Sequence, residues 1–372
     1  MFFTIFIVAI CLIGLLIIHE LGHFILAKKF GVGVEEFGVG LPPRIFGKKF
    51  GETIYSINLL PFGAFVKITG EDGEGEKQGK EGEKKIVNPQ SFSQKPIYQR
   101  ALIIFGGCVS FWLVAFLLFT FVAGTWGLLQ AVSDDFSGPS QVQIIEVAKN
   151  SPAEISGIKP GDEILGFKTE NKDFIKTNKV KEVQEFTGAY LGKEITLNIK
   201  RGKEILDINL TPRLVLAKGE GAMGVGLARV SRLKTAWYQA PIIGVSVTIE
   251  NTIKIPIVLA GLLEKSLKGE KIEGVELKGP IGVGAMLGQA LNTGADKFLM
   301  FLAMLSLWMA LFNLLPIPAL DGGKLLFLAI EAIQKKPVSQ KIEQGITAFF
   351  FALLLGLMLF VTIKDIMSFF KL

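Results

Sequence analysis

Four stretches of this chain carry no charged side chain: residues 2–18, 101–133, 298–320 and 345–363. About 20 residues of helix cross a hydrocarbon core of about 30 Å, so each stretch is predicted to span or nearly span a bilayer. A backbone in lipid must satisfy its own hydrogen bonds, which confines the fold to a helical bundle of about four transmembrane helices. Composition agrees: half of the residues are hydrophobic and only 20% are charged, which excludes an ordinary soluble enzyme. The 40 Lys and Arg against 34 Asp and Glu leave a net charge of +6 with no polybasic run, so no nucleic-acid partner is expected. Both cysteines, Cys11 and Cys108, sit in apolar runs, and no disulfide framework is predicted.

The first stretch could be a cleaved signal peptide, but no charged segment precedes it and no small-residue cleavage site follows. It is read as a retained helix over residues 1–30. The other spans are placed at 101–131, 297–320 and 345–364. Lys28, Lys29, Lys95, Arg100, Lys324, Lys335, Lys336 and Lys341 then fall on one side, predicted to be the cytoplasm, which puts both termini outside.

Residues 31–70 form a Gly- and Pro-punctuated region whose β-favouring pieces, 53–60 and 64–69, flank Pro61-Phe62-Gly63 and predict a membrane-dipping β-hairpin. Residues 71–100 are a cytoplasmic loop, with a Gly-, Glu- and Lys-rich tract at 71–85. Residues 132–216 have the texture of an inserted α/β domain: a strand over 142–147, a short helix, a strand over 163–167, a helix near 180–190 and two more strands. With Ser151-Pro-Ala-Glu-Ile-Ser-Gly157-Ile-Lys-Pro-Gly161-Asp162, this order resembles a PDZ domain of the bacterial type. A peptide ligand is expected to add as a strand along 142–147, against the helix near 180–190. Residues 236–268 mix apolar side chains with Glu250, Lys254 and Glu264 and predict an amphipathic interfacial helix. Residues 321–344 form a second cytoplasmic segment.

The only two histidines, His19 and His23, stand four apart with Glu20 between them, so one helix face carries both imidazoles. That is the spacing of a zinc site in which the carboxylate next to the first ligand takes a proton from water. The alternative is a polar turn that ends a membrane helix, but the apolar run continues through Ala27, and ionisable groups inside a span point to function. A third ligand must be an acid or a thiolate. Asp321, at the end of an uncharged stretch and before Gly322-Gly323, is the candidate acid, although it could equally cap the next helix. Cys11 and Cys108 are the poorer thiolate alternatives.

His19-Glu20-Leu21-Gly22-His23, together with Asn313-Leu-Leu-Pro316-Ile-Pro318-Ala-Leu-Asp321-Gly-Gly323, resembles the site-2 protease family of intramembrane zinc metalloproteases, in the bacterial group with a PDZ insertion. The resemblance implies a Zn2+ cofactor held by His19, His23 and Asp321, with Glu20 as the catalytic base. It also implies substrate contacts at Asn313, Pro316 and Pro318. It further implies a multi-pass protein of a bacterial inner or plasma membrane with its active site near the cytoplasmic side. Its substrate would be a transmembrane protein such as an anti-sigma factor or a remnant signal peptide, cut in regulated intramembrane proteolysis. The chain departs from the family at Gly106-Gly107-Cys108-Val109-Ser110, where a Gly-Pro-x-x-Asn pattern is usual. The rival readings are a PDZ-bearing membrane adaptor with structural zinc and a metal carrier. Neither needs Glu20 beside the histidines.

Overall fold

The computed structural model describes residues 2–71, 88–168, 174–202, 204–215, 221–269 and 278–370. Apart from Glu71, the tract at 71–85 lies outside the described residues.

Helix α1 (Phe2–Lys29) is apolar almost throughout and packs on α2 (Ile97–Thr125), which starts directly after Pro96. The two backbones approach at glycine: a Cβ on Gly106 would lie 2.6 Å from Leu26 Cδ1 and 2.8 Å from the Gly22 carbonyl. In lipid such close contact provides the packing that water exclusion cannot. Helix α7 (Ala295–Asn313) closes on the other side of α2, where Ser306 Oγ donates to the Phe111 carbonyl at 2.8 Å. Helix α8 (Asp321–Gln334) follows a tight turn, and α9 (Gln340–Phe370) completes the bundle.

Among the described residues, five helices are long and apolar enough to cross a membrane, one more than the four uncharged stretches predict. The addition is α5 (Ala240–Leu267), which falls in the segment expected to be interfacial. It stands alongside α2 instead, antiparallel to it. A Cβ on Gly124 would meet Ala240 at 3.3 Å, a Cβ on Gly244 would overlap Thr120, and Trp112 Nε1 donates to Thr252 Oγ1 at 3.1 Å. Its charges do not break the helix, because Glu250 and Lys254 pair one turn apart, as do Glu264 and Lys268. The short helix α6 (Pro280–Thr293) meets both ends of the chain. A Cβ on Gly288 would lie 3.3 Å from Thr4, and the amides of Gly279 and Gly282 donate to Asp365 Oδ2 at 2.9 and 2.7 Å. Both termini therefore lie at the end of the bundle away from Asp321.

Residues 31–70 form more sheet than the hairpin expected. Strand β1 (Val34–Phe50) pairs with β2 (Thr53–Ile68) twice over: Glu36 lies opposite both Lys67 and Ile54, and Phe37 opposite both Val66 and Tyr55. Both strands bend back, giving four segments in the order 44–50, 53–58, 34–39 and 64–68, in which the two outer pairings are antiparallel and the central pair, 53–58 beside 34–39, runs in the same direction. Ala27, Val32, Val34 and Ile68 bury this sheet against α1 and α2.

The inserted domain is a seven-stranded sheet: β3 (Leu128–Ala131), β9 (Val225–Leu233), β4 (Gln141–Val147), β5 (Glu163–Lys168), β7 (Ile195–Arg201) and β8 (Glu204–Leu210) in that order, with β6 (Phe174–Lys176) on β5. Helices α3 (Pro152–Ile155) and α4 (Val180–Ala189) cover a core of Val142, Ile144, Ile164, Phe167, Val183, Leu197 and Ile199. The predicted boundaries at 132 and 216 exclude β3 and β9, which are integral to the sheet. The expected strand addition along residues 142–147 is also corrected. β4 is paired with β9 along its length, its other edge meets β5 at Val142 and Gln143, and Ile144 bonds to Gly161 and Asp162.

Candidate metal centre

His19 and His23 lie one turn apart on α1 and are both buried, with rings 4.7 Å apart and nearly perpendicular. The His19 ring stacks on Phe111 of α2 at 4.7 Å. His23 Nδ1 donates to the Ile103 carbonyl at 2.9 Å, which fixes the tautomer and turns the bare Nε2 toward His19. Asp321 enters from α8. The residue at the N-cap is Leu320 and no side chain caps this helix, so the Asp321 carboxylate is not spent on capping. Gly322 and Gly323 permit this arrangement, since a Cβ on either would overlap the carbonyls of Leu314, Leu315 or Ile317.

The three donor atoms form a triangle: His19 Nε2 to His23 Nε2, His19 Nε2 to Asp321 Oδ2 and His23 Nε2 to Asp321 Oδ2 are each 3.3 Å. Ligands about 2.0–2.1 Å from a tetrahedral zinc stand about 3.3 Å apart, so this triangle is one face of such a tetrahedron, with the fourth vertex left over. Asp321 Oδ2 is buried and has no hydrogen-bond donor among the described residues. Three acceptors facing one another in a buried site repel unless a cation lies between them. The residues present therefore fit a zinc ion.

Glu20 follows His19 by about 100° around the helix. It lies within electrostatic range of both imidazoles, Asp321 and Lys324. Neither Cys11 nor Cys108 joins the three-residue cluster. Asn313 ends α7 and Pro316 and Pro318 form the turn that delivers Asp321. Asn313 lines a cavity of about 1010 Å³ with Met286, Met304 and Trp308, whereas Pro318 lines a separate one of about 470 Å³ with Arg100, Lys324 and Glu331.

Sequence reasoning missed the wall that α2 builds. A Cβ on Gly107 would overlap His23 Nε2 and come within 2.5 Å of His19 Cε1. Ile103 and Phe111, four residues to either side of Gly107, orient His23 and His19 respectively. The signal was the Gly106-Gly107 pair inside an uncharged span, since glycine there marks close approach. Ser110, at the end of the segment that departs from the family pattern, donates to the Gly107 carbonyl at 2.7 Å.

The model of peptidase family M50 matches residues 7–357. A Clostridium perfringens protein provisionally named a zinc metalloprotease is 34% identical over 362 residues, covering 95% of each chain. The regulator of sigma-W protease RasP of Bacillus subtilis is 30% identical, covering all of each chain. The zinc metalloprotease RasP of Shouchella clausii is 28% identical, covering 96% of this chain and 97% of the relative. With five apolar helices and these matches, the protein is a multi-pass membrane protein, and the chain belongs to peptidase family M50, the site-2 proteases.

Proposed function

We propose that this protein is a zinc metalloprotease that hydrolyses a peptide bond within or beside a transmembrane helix of a membrane-protein substrate. The observation that supports it most directly is the 3.3 Å triangle of His19, His23 and Asp321 with Glu20 alongside. Zinc, when bound there, supplies the Lewis acidity that polarises the scissile carbonyl and brings the pKa of water toward neutrality. Glu20 accepts a proton as the water oxygen bonds to the carbonyl carbon. It returns a proton to the amide nitrogen as the C–N bond breaks, so water is divided between the new carboxyl and the new amine. His23, held by Ile103, and His19, stacked on Phe111, keep their rings oriented during the reaction.

A helix hides its carbonyls in its own hydrogen bonds, so cleavage requires local unwinding. The edge segment at residues 64–68 can pair with the opened strand. Asn313, Pro316 and Pro318 hold that strand near Asp321. The active site faces the cytoplasmic side and both termini face outside, by the placement of lysine and arginine. The inserted domain is PDZ-like and acts outside as a docking or size filter. Because one relative is named a regulator of sigma-W protease, an anti-sigma factor is a substrate of the expected class, and a remnant signal peptide is another. The test is cleavage of a transmembrane peptide by purified protein, with a chelator and then added zinc. Loss followed by recovery is expected; cleavage that persists after the metal has been removed would rule the mechanism out.

A further inference from the structure

The inserted domain meets the bundle at the end of α7 remote from Asp321, and a cavity of about 480 Å³ remains between them. The domain contributes the turn Lys159-Pro160-Gly161-Asp162 and the helices contribute residues of α6 and α7. Both acids of the lining are already paired. Arg201 of β7 donates to the Asp162 carboxylate through two hydrogen bonds of 2.7 Å, and Arg232 of β9 donates to Asp296 Oδ2 at 2.6 Å. Lys159 and Lys297 line the same cavity, and neither forms an ion pair among the described residues. The rim therefore carries positive charge that the protein does not neutralise. Gln289 and Thr293 add polar groups beside it.

The floor is apolar and lies deeper. Met300, Phe301 and Met304 of α7 line it, with Met286 of α6 opposite. α7 begins at Ala295, so at 1.5 Å per residue Met300 and Met304 stand about 8 and 14 Å further along the helix, toward the bilayer centre. Met286, Phe301 and Met304 also line the cavity of about 1010 Å³, so the apolar surface continues down α7 to Trp308. Lys297, in the first turn of α7, stands at the height where α2 ends at Thr125, which is headgroup level. The cavity thus pairs cations at headgroup height with flexible thioethers at acyl-chain depth.

We propose that this cavity binds an anionic phospholipid from the leaflet on the inserted domain's side. Its phosphate lies between Lys159 and Lys297, and an acyl chain runs along Met300, Phe301 and Met304. One molecule then satisfies both halves of the site. A soluble acidic peptide would leave the methionine floor wet, and a zwitterionic lipid would bring its own ammonium group toward the lysines. The bound lipid fills the gap beside the Arg232–Asp296 pair and so fastens the domain to the bundle. This goes beyond the proteolytic reading and is tested by binding alone.

The probes are dioctanoyl phosphatidylglycerol and dioctanoyl phosphatidylcholine, titrated separately into full-length protein stripped of lipid in detergent, with bound lipid counted by native mass spectrometry. The wild type is expected to bind the anionic lipid about tenfold more tightly or better. Lys159→Gln with Lys297→Gln should bring the two affinities together, whereas Lys176→Gln with Lys193→Gln, outside the cavity, should leave the preference intact. Met300→Ser with Met304→Ser should weaken both lipids by about threefold or more and keep their ratio. Glycerol phosphate, which has the anion without the chains, should not displace the lipid. Equal affinity of the wild type for the two lipids, or a preference that survives loss of both lysines, would overturn the proposal. So would displacement by glycerol phosphate or by a soluble acidic peptide as effective as that by the anionic lipid. If the double lysine variant melts early and so is misfolded, Lys297→Gln alone serves. A fall of about threefold in the preference is then expected, and no fall overturns the proposal equally.

Discussion

Replacing Gly107 by alanine tests the claim that α2 shapes the metal centre. The added Cβ would overlap His23 Nε2 and stand 2.5 Å from His19 Cε1, where ordinary contacts begin near 3.4 Å. Relief therefore needs a displacement of about 0.9 Å, several times the tolerance of about 0.2 Å within which a zinc site keeps its ligand distances. Disturbing groups that orient metal ligands costs about 10–100-fold in affinity, or about 1.4–2.7 kcal/mol, and the direct overlap here places Gly107→Ala at or beyond the upper end. Competition against a chromophoric chelator measures the affinity, and a melting curve shows whether the bundle is intact. Gly14→Ala on α1 is the control, because nothing lies within 4 Å of a Cβ there, and it should leave zinc affinity unchanged. A Gly107→Ala protein that holds stoichiometric zinc with wild-type affinity would refute the argument that this glycine is required by the site.

Three further outcomes are expected. His19→Ala and His23→Ala should each lose zinc, and Asp321→Asn should weaken it, as read by metal content after dialysis; full zinc in Asp321→Asn would assign the third ligand elsewhere. Arg100 makes two hydrogen bonds to Glu331 of α8, at 3.0 and 2.5 Å, in a largely buried setting. Arg100→Ala should cost about 3 kcal/mol, read as a fall in Tm, and Arg100→Met with Glu331→Leu should cost less because no lone charge remains buried. The amide of Lys181, with that of Val180 and the charge of Arg229, holds the Asp134 carboxyl below its usual pKa. A carboxyl lowered by folding stabilises the folded state above its unfolded pKa of about 3.9, and that contribution is lost as pH falls below this value. Amide exchange at the start of α4 should therefore accelerate below about pH 4 in the wild type but show no such step in Asp134→Asn.

The spans and the histidine pair were legible in the sequence because both are local. Residues 2–18 need only lack charge to be read as a helix, and His19 and His23 need only stand four apart. What depended on distant pairing was hidden. α5 looked interfacial because Glu250, Lys254 and Glu264 interrupt its apolar run, and only their pairing along the helix and its contact with α2 show otherwise. β1 was missed because Gly38, Gly40 and Pro42-Pro43 break the alternation that marks a strand. β9 lay beyond the predicted boundary, since the glycine- and lysine-bearing segment before it reads as a linker while its partners, β3 and β4, lie about 90 residues upstream. At the site, spacing left Asp321 open between ligand and helix cap, a question that the position of Leu320 and the turn at Pro316 and Pro318 bear on.

The central claim is that Glu20 moves protons while His19, His23 and Asp321 hold the metal, and Glu20→Gln separates the two roles. Glutamine keeps the size of the side chain and removes the base. Zinc content and cleavage of a transmembrane peptide are measured on the same purified preparation, beside the wild type. The account predicts one zinc per chain in both proteins and cleavage only in the wild type. Cleavage at the wild-type rate by zinc-loaded Glu20→Gln would contradict it.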